Sequence, residues 1–243
     1  MNGNKMSFTV LPNKTPFMSH LSALSEDSWF AALSPELRQA LLLNATSVHL
    51  VAGEMLFRRG DAPSGFYALL KGNIKMSTLS EDGREGILTI LEPSTWFGEI
   101  SLIDGQPRTH DATAVGTVEL LLVTPLCFSA LMRDPVFATA IAHMLAYRIR
   151  LLYGIVEDAH LRSPRARVAR RLLLLAGSNT MHTSASHNCV PVSQESLAMM
   201  LGMSRQTLSK ELKFLSQQRV IALKYRAINI ISATALSDYS DQH

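Results

Sequence analysis

The chain has 243 residues, 47% of them hydrophobic and 18% charged, with a formal net charge of +3. That length supports two modest cores, and with no uninterrupted apolar run of about 18 residues the sequence argues against a membrane span. The first twenty residues, MNGNKMSFTVLPNKTPFMSH, lack the apolar stretch of a secretory leader, and Cys127 and Cys189 lie far apart with no partner at metal spacing. An iron–sulfur or zinc site is therefore not expected, and both thiols read as reduced in a cytoplasmic protein.

Charge becomes informative once the chain is divided. Residues 162–243 carry eleven Lys/Arg against four Asp/Glu, a net of +7, whereas residues 1–161 carry twelve against sixteen, a net of −4. A basic back half behind an acidic front half implies that the back half meets a polyanion. Charge alone leaves nucleic acid and a membrane surface equally open.

In chain order, residues 1–20 read as a flexible arm and residues 22–43 as helical, with Ser34-Pro35-Glu36 as a helix start. From Thr46 to Val123 the pattern changes to short β-rich runs: SVHLV, MLFRRG, GFYALLKG, NIKMSTL, GILTILE and VELLLV, split by Gly, Asp and Pro. That rhythm predicts an antiparallel β-roll or barrel, and Asp82-Gly83 marks a hairpin turn. Asp134-Pro135 opens a long helix to about Leu161. On it Ile141, Leu145, Arg148, Leu152, Ile155 and Ala159 recur at spacings of four and three, a coiled-coil-like seam that predicts a homodimer. Ser163-Pro164 then starts a further helix ending at Gly177, the polar stretch SNTMHTSASHN reads as a loop or hairpin tip, and VIALKYRAINIIS reads as a pair of short strands. The expected fold is α+β: an effector-binding β-roll over 21–133, a dimerisation helix over 134–162 and a winged helix-turn-helix domain over 163–243.

Between Val192 and Leu215 the layout is helix, tight turn, helix. Ser193 caps the first helix, Gly202 supplies the turn, and Ser204 caps the second. Leu208, Leu212 and Leu215 form an inner face, while Arg205, Gln206, Ser209, Lys210 and Lys213 form the opposite one. The bland alternative is a solvated helix face. The N-terminal end of a recognition helix meets base edges, where Arg forks onto guanine and Gln pairs with adenine, and cap amides meet phosphate.

A second motif is FGEISLIDGQPRTHDATA, residues 97–114. Gly98-Glu99-Ile100 can start a helical turn whose free amides face an anion, and Arg108-Thr109 follow nine residues after Glu99. A carboxylate beside a phosphate site is useful if it accepts a hydroxyl proton while Arg108 takes the charge, and a ribose cyclic phosphate offers both groups. A plain loop salt bridge between Glu99 and Arg108 is the competing reading.

The segment SQESLAMMLGMSRQTLSKELKFLSQQRVI resembles the DNA-binding motif of the cyclic-AMP receptor protein (CRP/FNR) family, in Ser204, Arg205, Gln206 and Lys210. Gly98, Glu99, Ile100, Pro107, Arg108 and Thr109 resemble that family's phosphate-binding cassette, and LFRRGDAPSGFYALLKGNIKM resembles its preceding strands. The resemblance runs from about residue 20 to 235. It implies a DNA-binding transcription regulator without a catalytic site, held as a homodimer on a double-stranded DNA palindrome, contacting RNA polymerase if it activates. It also implies a cyclic nucleotide effector: cyclic AMP, cyclic GMP or cyclic di-GMP. Arg148 fits the central-helix arginine that nucleotide-responsive members offer to the pocket. Two departures stand out. His110 replaces the usual alanine, and Leu152 and Tyr153 fall where small hydroxyl residues read the purine, leaving the Tyr153 hydroxyl as a substitute. A haem-sensing or effector-independent regulator remains an alternative, as does a nucleotide-binding module acting on a protein partner. An enzyme is disfavoured, because no nucleophile–base pair, metal motif or P-loop is present.

Overall fold

A computed structural model describes residues 17–177 and 188–241. Most of the expected arm, and the loop SNTMHTSASH, lie outside the described residues. A helix α1 (Phe17–Leu24) begins inside the stretch expected as an arm. It is followed by α2 (Ser28–Ala32) and α3 (Pro35–Leu43), whose first turn is capped by Ser34 accepting from the Leu37 amide.

Next come β1 (Ala45–Leu50), β2 (Met55–Phe57), β3 (Phe66–Leu79), β4 (Glu85–Leu91), β5 (Trp96–Phe97), the short helix α4 (Ile100–Asp104), β6 (Asp111–Val123) and α5 (Pro125–Leu131). The strands form one sheet of order β1-β6-β3-β4, with β2 added to β6 and β5 to β3. The β1, β2 and β3 pairings with β6 are antiparallel, as is β3 with β5. Two runs expected as separate strands, GFYALLKG and NIKMSTL, are one strand of 14 residues. It kinks through register shifts between Leu69 and Asn73, at Gly72, where φ is +80° and a Cβ would lie 2.3 Å from Thr117 O. Only a glycine passes there without displacing β6.

The chain divides into two compact units, residues 1–78 with 89–141, and residues 79–88 with 142–243. In the first, Val48, Leu56, Phe57, Tyr67, Leu69, Ile74, Phe97 and Leu120 fill the roll. A second group is aromatic: Trp96 stacks on Phe30 and on Phe66, at centroid distances of 5.5 and 5.0 Å, and Phe128 meets Phe137 edge-on at 5.9 Å. Trp29 satisfies its indole N–H on the Ala140 carbonyl at 2.8 Å. Phe137 and Ala140 lie at the start of the long helix α6 (Pro135–Leu161).

The second unit holds the rest of α6, then α7 (Pro164–Ala176), β7 (Cys189–Val190), α8 (Gln194–Leu201), α9 (Arg205–Gln217), β8 (Ile221–Lys224), β9 (Ala227–Ile230) and α10 (Ala233–Ser240). Strands β7-β9-β8 make a small antiparallel sheet. Its core gathers Val168, Leu172, Leu197, Leu208, Leu212, Leu215, Ile221, Ile228 and Leu236. At the α6–α7 junction, buried Asp158 pairs with Arg162 Nε and Arg170 Nε, each at 2.8 Å.

The seam on α6 begins later than its sequence spacing implies. Ile141 is buried within its own unit, as is Phe137, because the first turns of α6 complete the first unit's core. Further along, Leu145 and Leu151 are half-buried, while Ile149, Leu152, Tyr153, Ile155 and Val156 are 40–71% exposed. No helix among the described residues is long and apolar enough to cross a membrane.

Candidate functional site

In the first unit, the residues after β5 converge on Arg108. Gly98 has φ +96°, and a Cβ there would lie 2.8 Å from Gly65 O, 3.1 Å from the Tyr67 ring and 3.3 Å from Arg108 Nη1. The chain passes so closely only because no side chain is present. Glu99 is buried at 1% exposure and opens α4, its carbonyl accepting from the Leu102 and Ile103 amides at 3.0 Å. Ile100, the next residue, is half open on α4.

Backbone bonds tie the chain at Arg108 to the turn after β2: the Arg108 amide donates to Asp61 O and the Gly60 amide to Arg108 O, both at 2.8 Å. Arg108 as a whole is 4% exposed. Nη1 donates to Gly98 O at 2.8 Å, while Nη2 donates to Gly65 O at 2.8 Å and to Ser64 Oγ at 3.3 Å. Its face lies 4.3 Å from the Phe57 ring centroid and 5.8 Å from that of Tyr67. Burial pushes the Arg108 pKa below its ordinary value, opposed by Tyr67, Glu99 and Asp61. Burial likewise raises the Tyr67 phenol, which shares a 2.8 Å hydrogen bond with Ser64 Oγ. Nε of Arg108 is buried without a hydrogen-bond partner. Such an orphaned donor is unusual in a native interior.

Gly98, Glu99 and Arg108 are thus brought together. Thr109 is exposed, and its Oγ1 lies 2.7 Å from His110 Nδ1. Half-buried Arg148 and Tyr153, 71% exposed, are carried by the part of α6 that belongs to the second unit. Ser64, Gly65, Phe57 and Tyr67 were not singled out from the sequence. They stand some forty residues before Arg108, and only strand pairing makes them its neighbours.

In the second unit, Ser193 Oγ accepts from the Ser196 amide at 3.0 Å and Ser204 Oγ from the Thr207 amide at 3.1 Å, so both expected caps form. Gly202 ends α8 in the left-handed conformation, φ +59°. Leu208, Leu212 and Leu215 turn inward at 1% exposure or less. On the other side Arg205, Gln206, Ser209, Lys210 and Lys213 together line an open surface concavity of about 520 Å³. Arg205 pairs with Glu195 of α8, a partner the sequence reading passed over, through exposed side chains. Another feature passed over is the β8–β9 tip, where Tyr225 is 91% exposed between Lys224 and Arg226. The run Lys-Tyr-Arg was its available signal.

A β-roll with a buried arginine cradle, in one chain with a winged helix-turn-helix presenting a basic face, is the layout of a DNA-binding regulator. A family model described as a cyclic nucleotide-binding domain matches residues 47–134, and one described as a Crp-like helix-turn-helix domain matches residues 166–239. The chain is 29% identical over 210 residues to a CRP-like cAMP-activated global transcriptional regulator of Mycobacterium tuberculosis, covering 86% of this chain and 94% of the relative. It is 30% identical over 189 residues to the cyclic AMP receptor protein of Thermus thermophilus, covering 76% and 84%. Among solved structures, FixK2 from Bradyrhizobium japonicum shares the fold at a TM-score of 0.71 and 21% identity, covering 82% of this chain and 98% of that one. The chain belongs to the CRP/FNR family of DNA-binding transcription regulators, which are not enzymes.

Gly202 offers a clean test of the turn between α8 and α9, because a Cβ there would meet no atom within 4 Å and any cost is conformational. Gly202→Ala is expected to lower stability by about 1–2 kcal/mol in urea unfolding, and Gly202→Asn by less.

Proposed function

We propose that this regulator responds to a cyclic nucleotide, or a closely similar phosphate-bearing effector, held by Gly98, Glu99, Ile100, Arg108 and Thr109. The observation that carries this reading is the buried Arg108 Nε without a partner, beside a buried Glu99. The guanidinium donates to the phosphate from its remaining N–H groups, and the Thr109 hydroxyl assists. Glu99 accepts a ribose hydroxyl, and the backbone at Gly98 and Ile100 approaches closely. Two relatives named for cyclic AMP support that nucleotide as the first to try, with cyclic GMP and cyclic di-GMP beside it. Calorimetry of the full-length protein with each nucleotide tests this. Arg108→Ala is expected to cost about 2–5 kcal/mol of affinity, and an unchanged affinity and unchanged DNA binding would exclude Arg108 as the anchor.

The regulator acts as a homodimer in the cytoplasm, closed by the open stripe Ile149, Leu152, Ile155 and Val156 of α6. An apolar stripe of this length on a lone chain invites a second copy. Leu152→Asp, at a position 59% exposed, is expected to keep the fold and give monomers in light scattering. As an activator it would present the dimer to RNA polymerase.

The two α9 helices enter successive major grooves, so the operator is an imperfect palindrome with half-sites about 10 bp apart. Arg205 reads guanine, Gln206 a neighbouring adenine, Lys210 a base edge or phosphate, and Lys213 a phosphate. Ser209 lies on the same face, and the helix ends capped by Ser193 and Ser204 meet the backbone. Binding-site selection should return that palindrome. Arg205→Ala should cost about 1–3 kcal/mol per half-site and relax one base, whereas Lys213→Ala should weaken all sequences alike and lower the salt slope by about one unit for each phosphate left without its lysine.

A further inference from the structure

We propose that His110 is a second effector-contacting residue of the roll, a titratable donor that couples binding of a phosphate-bearing effector to proton uptake. The inference rests on the reading that Arg108 anchors that effector.

The geometry sets His110 beside the arginine. Phe57 of β2 is their common platform: the Arg108 guanidinium carbon lies 4.3 Å from its ring centroid and the imidazole centroid 6.4 Å from it. The room is made by the strand that follows, where Ala112 and Ala114 face the interior at 0% and 3% exposure and Ala112 pairs with Phe57 in register. His110 itself is half-buried. One ring nitrogen, Nδ1, is already engaged with Thr109 Oγ1 at 2.7 Å. If that hydroxyl donates, the neutral ring carries its proton on Nε2. If the exposed hydroxyl turns and accepts, Nδ1 carries a proton, in the neutral Nδ1–H tautomer or in the imidazolium. Thr109 therefore serves either charge state, and in the imidazolium Nε2 is a donor facing away from Thr109.

The groups around the ring set the sign of the coupling. Burial disfavours the imidazolium most, and the neighbouring Arg108 charge disfavours it further, while Glu99 at the start of α4 and Asp111 at the start of β6 favour it. Phe57, from β2, brings no charge. The net result holds His110 below the ordinary histidine value. An anion placed against Arg108 answers that repulsion and attracts the imidazolium, so the bound protein has the higher pKa. Affinity then rises as pH falls from the bound pKa to the free one, by at most about tenfold per pH unit, and is flat outside that window. A cyclic phosphodiester keeps its charge across this range, so the slope belongs to the protein.

The test is calorimetry of the full-length protein with cyclic AMP, cyclic GMP and cyclic di-GMP between about pH 5.5 and 8, in two buffers of different ionisation enthalpy. The wild type is expected to take up as much as one proton per site toward the acid end, with tighter binding there. His110→Gln, which keeps a donor of similar size, and His110→Ala should both bind without proton uptake and without the pH slope. A wild type that binds with no slope, or variants that keep it, would overturn the role of His110 while leaving Arg108 as the anchor. If Arg108→Ala binds like the wild type, or none of the three nucleotides binds, the anchor reading falls and this inference falls with it.

Discussion

A guanidinium taken out of water persists only if its charge and its N–H groups are answered, and the first unit is organised around meeting that demand for Arg108. Three separate stretches converge to do so. The turn before β3 gives the Ser64 hydroxyl and the Gly65 carbonyl, the turn after β5 gives the Gly98 carbonyl, and β2 gives the Phe57 face. Each contributor is tied to a strand whose place in the sheet is set by β3 or β6 pairing. The cradle therefore exists only once the roll has closed. Reciprocally, the backbone bonds of Arg108 to Gly60 and Asp61 hold the turn after β2 in place.

That dependence explains what the sequence could and could not disclose. The caps at Ser34, Ser163, Ser193 and Ser204 were legible because a cap is a contact across three residues, and each forms as expected. The face of α9 was legible for the same reason, since helical periodicity alone puts Leu208, Leu212 and Leu215 opposite Arg205 and Lys213. Glu99 and Arg108 were found by motif spacing, although nothing in that spacing shows whether they bind a ligand or one another. Ser64, Gly65 and Phe57 were not legible, because their place beside Arg108 is fixed by strand register. The two-residue strand β5 left too short a pattern to read. In the sequence Gly72 reads as a break between strands, whereas it is the residue that lets one long strand bend past Thr117.

The seam on α6 shows a related limit. Spacings of four and three mark a helix face, and they do not say what covers each position along it. Ile141 shares its face with Leu152, yet Phe137 and Ile141 complete the aromatic core of the first unit while Leu152 stays open. A single periodic stripe thus passes from one kind of burial to another, and only packing distinguishes the two.

The charge count needs the same correction. The excess of arginine and lysine after residue 161 pointed to a polyanion, but several of those cations work inside the fold. Arg162 and Arg170 flank Asp158, Arg165 pairs with Glu211 and lies 3.5 Å from the Phe214 ring centroid, and Arg167 donates to the Leu201 carbonyl. Arg171 is buried, and burial lowers its pKa. The basic run along α7 is thus largely a framework that holds α6, α8 and α9 in one unit. Counterion release counts only cations that reach phosphate. Of those on α9, Lys210 and Lys213 line the open face, while Arg205 there shares its charge with Glu195. The net charge of the domain therefore overstates the number of its cations that are open to an outside polyanion.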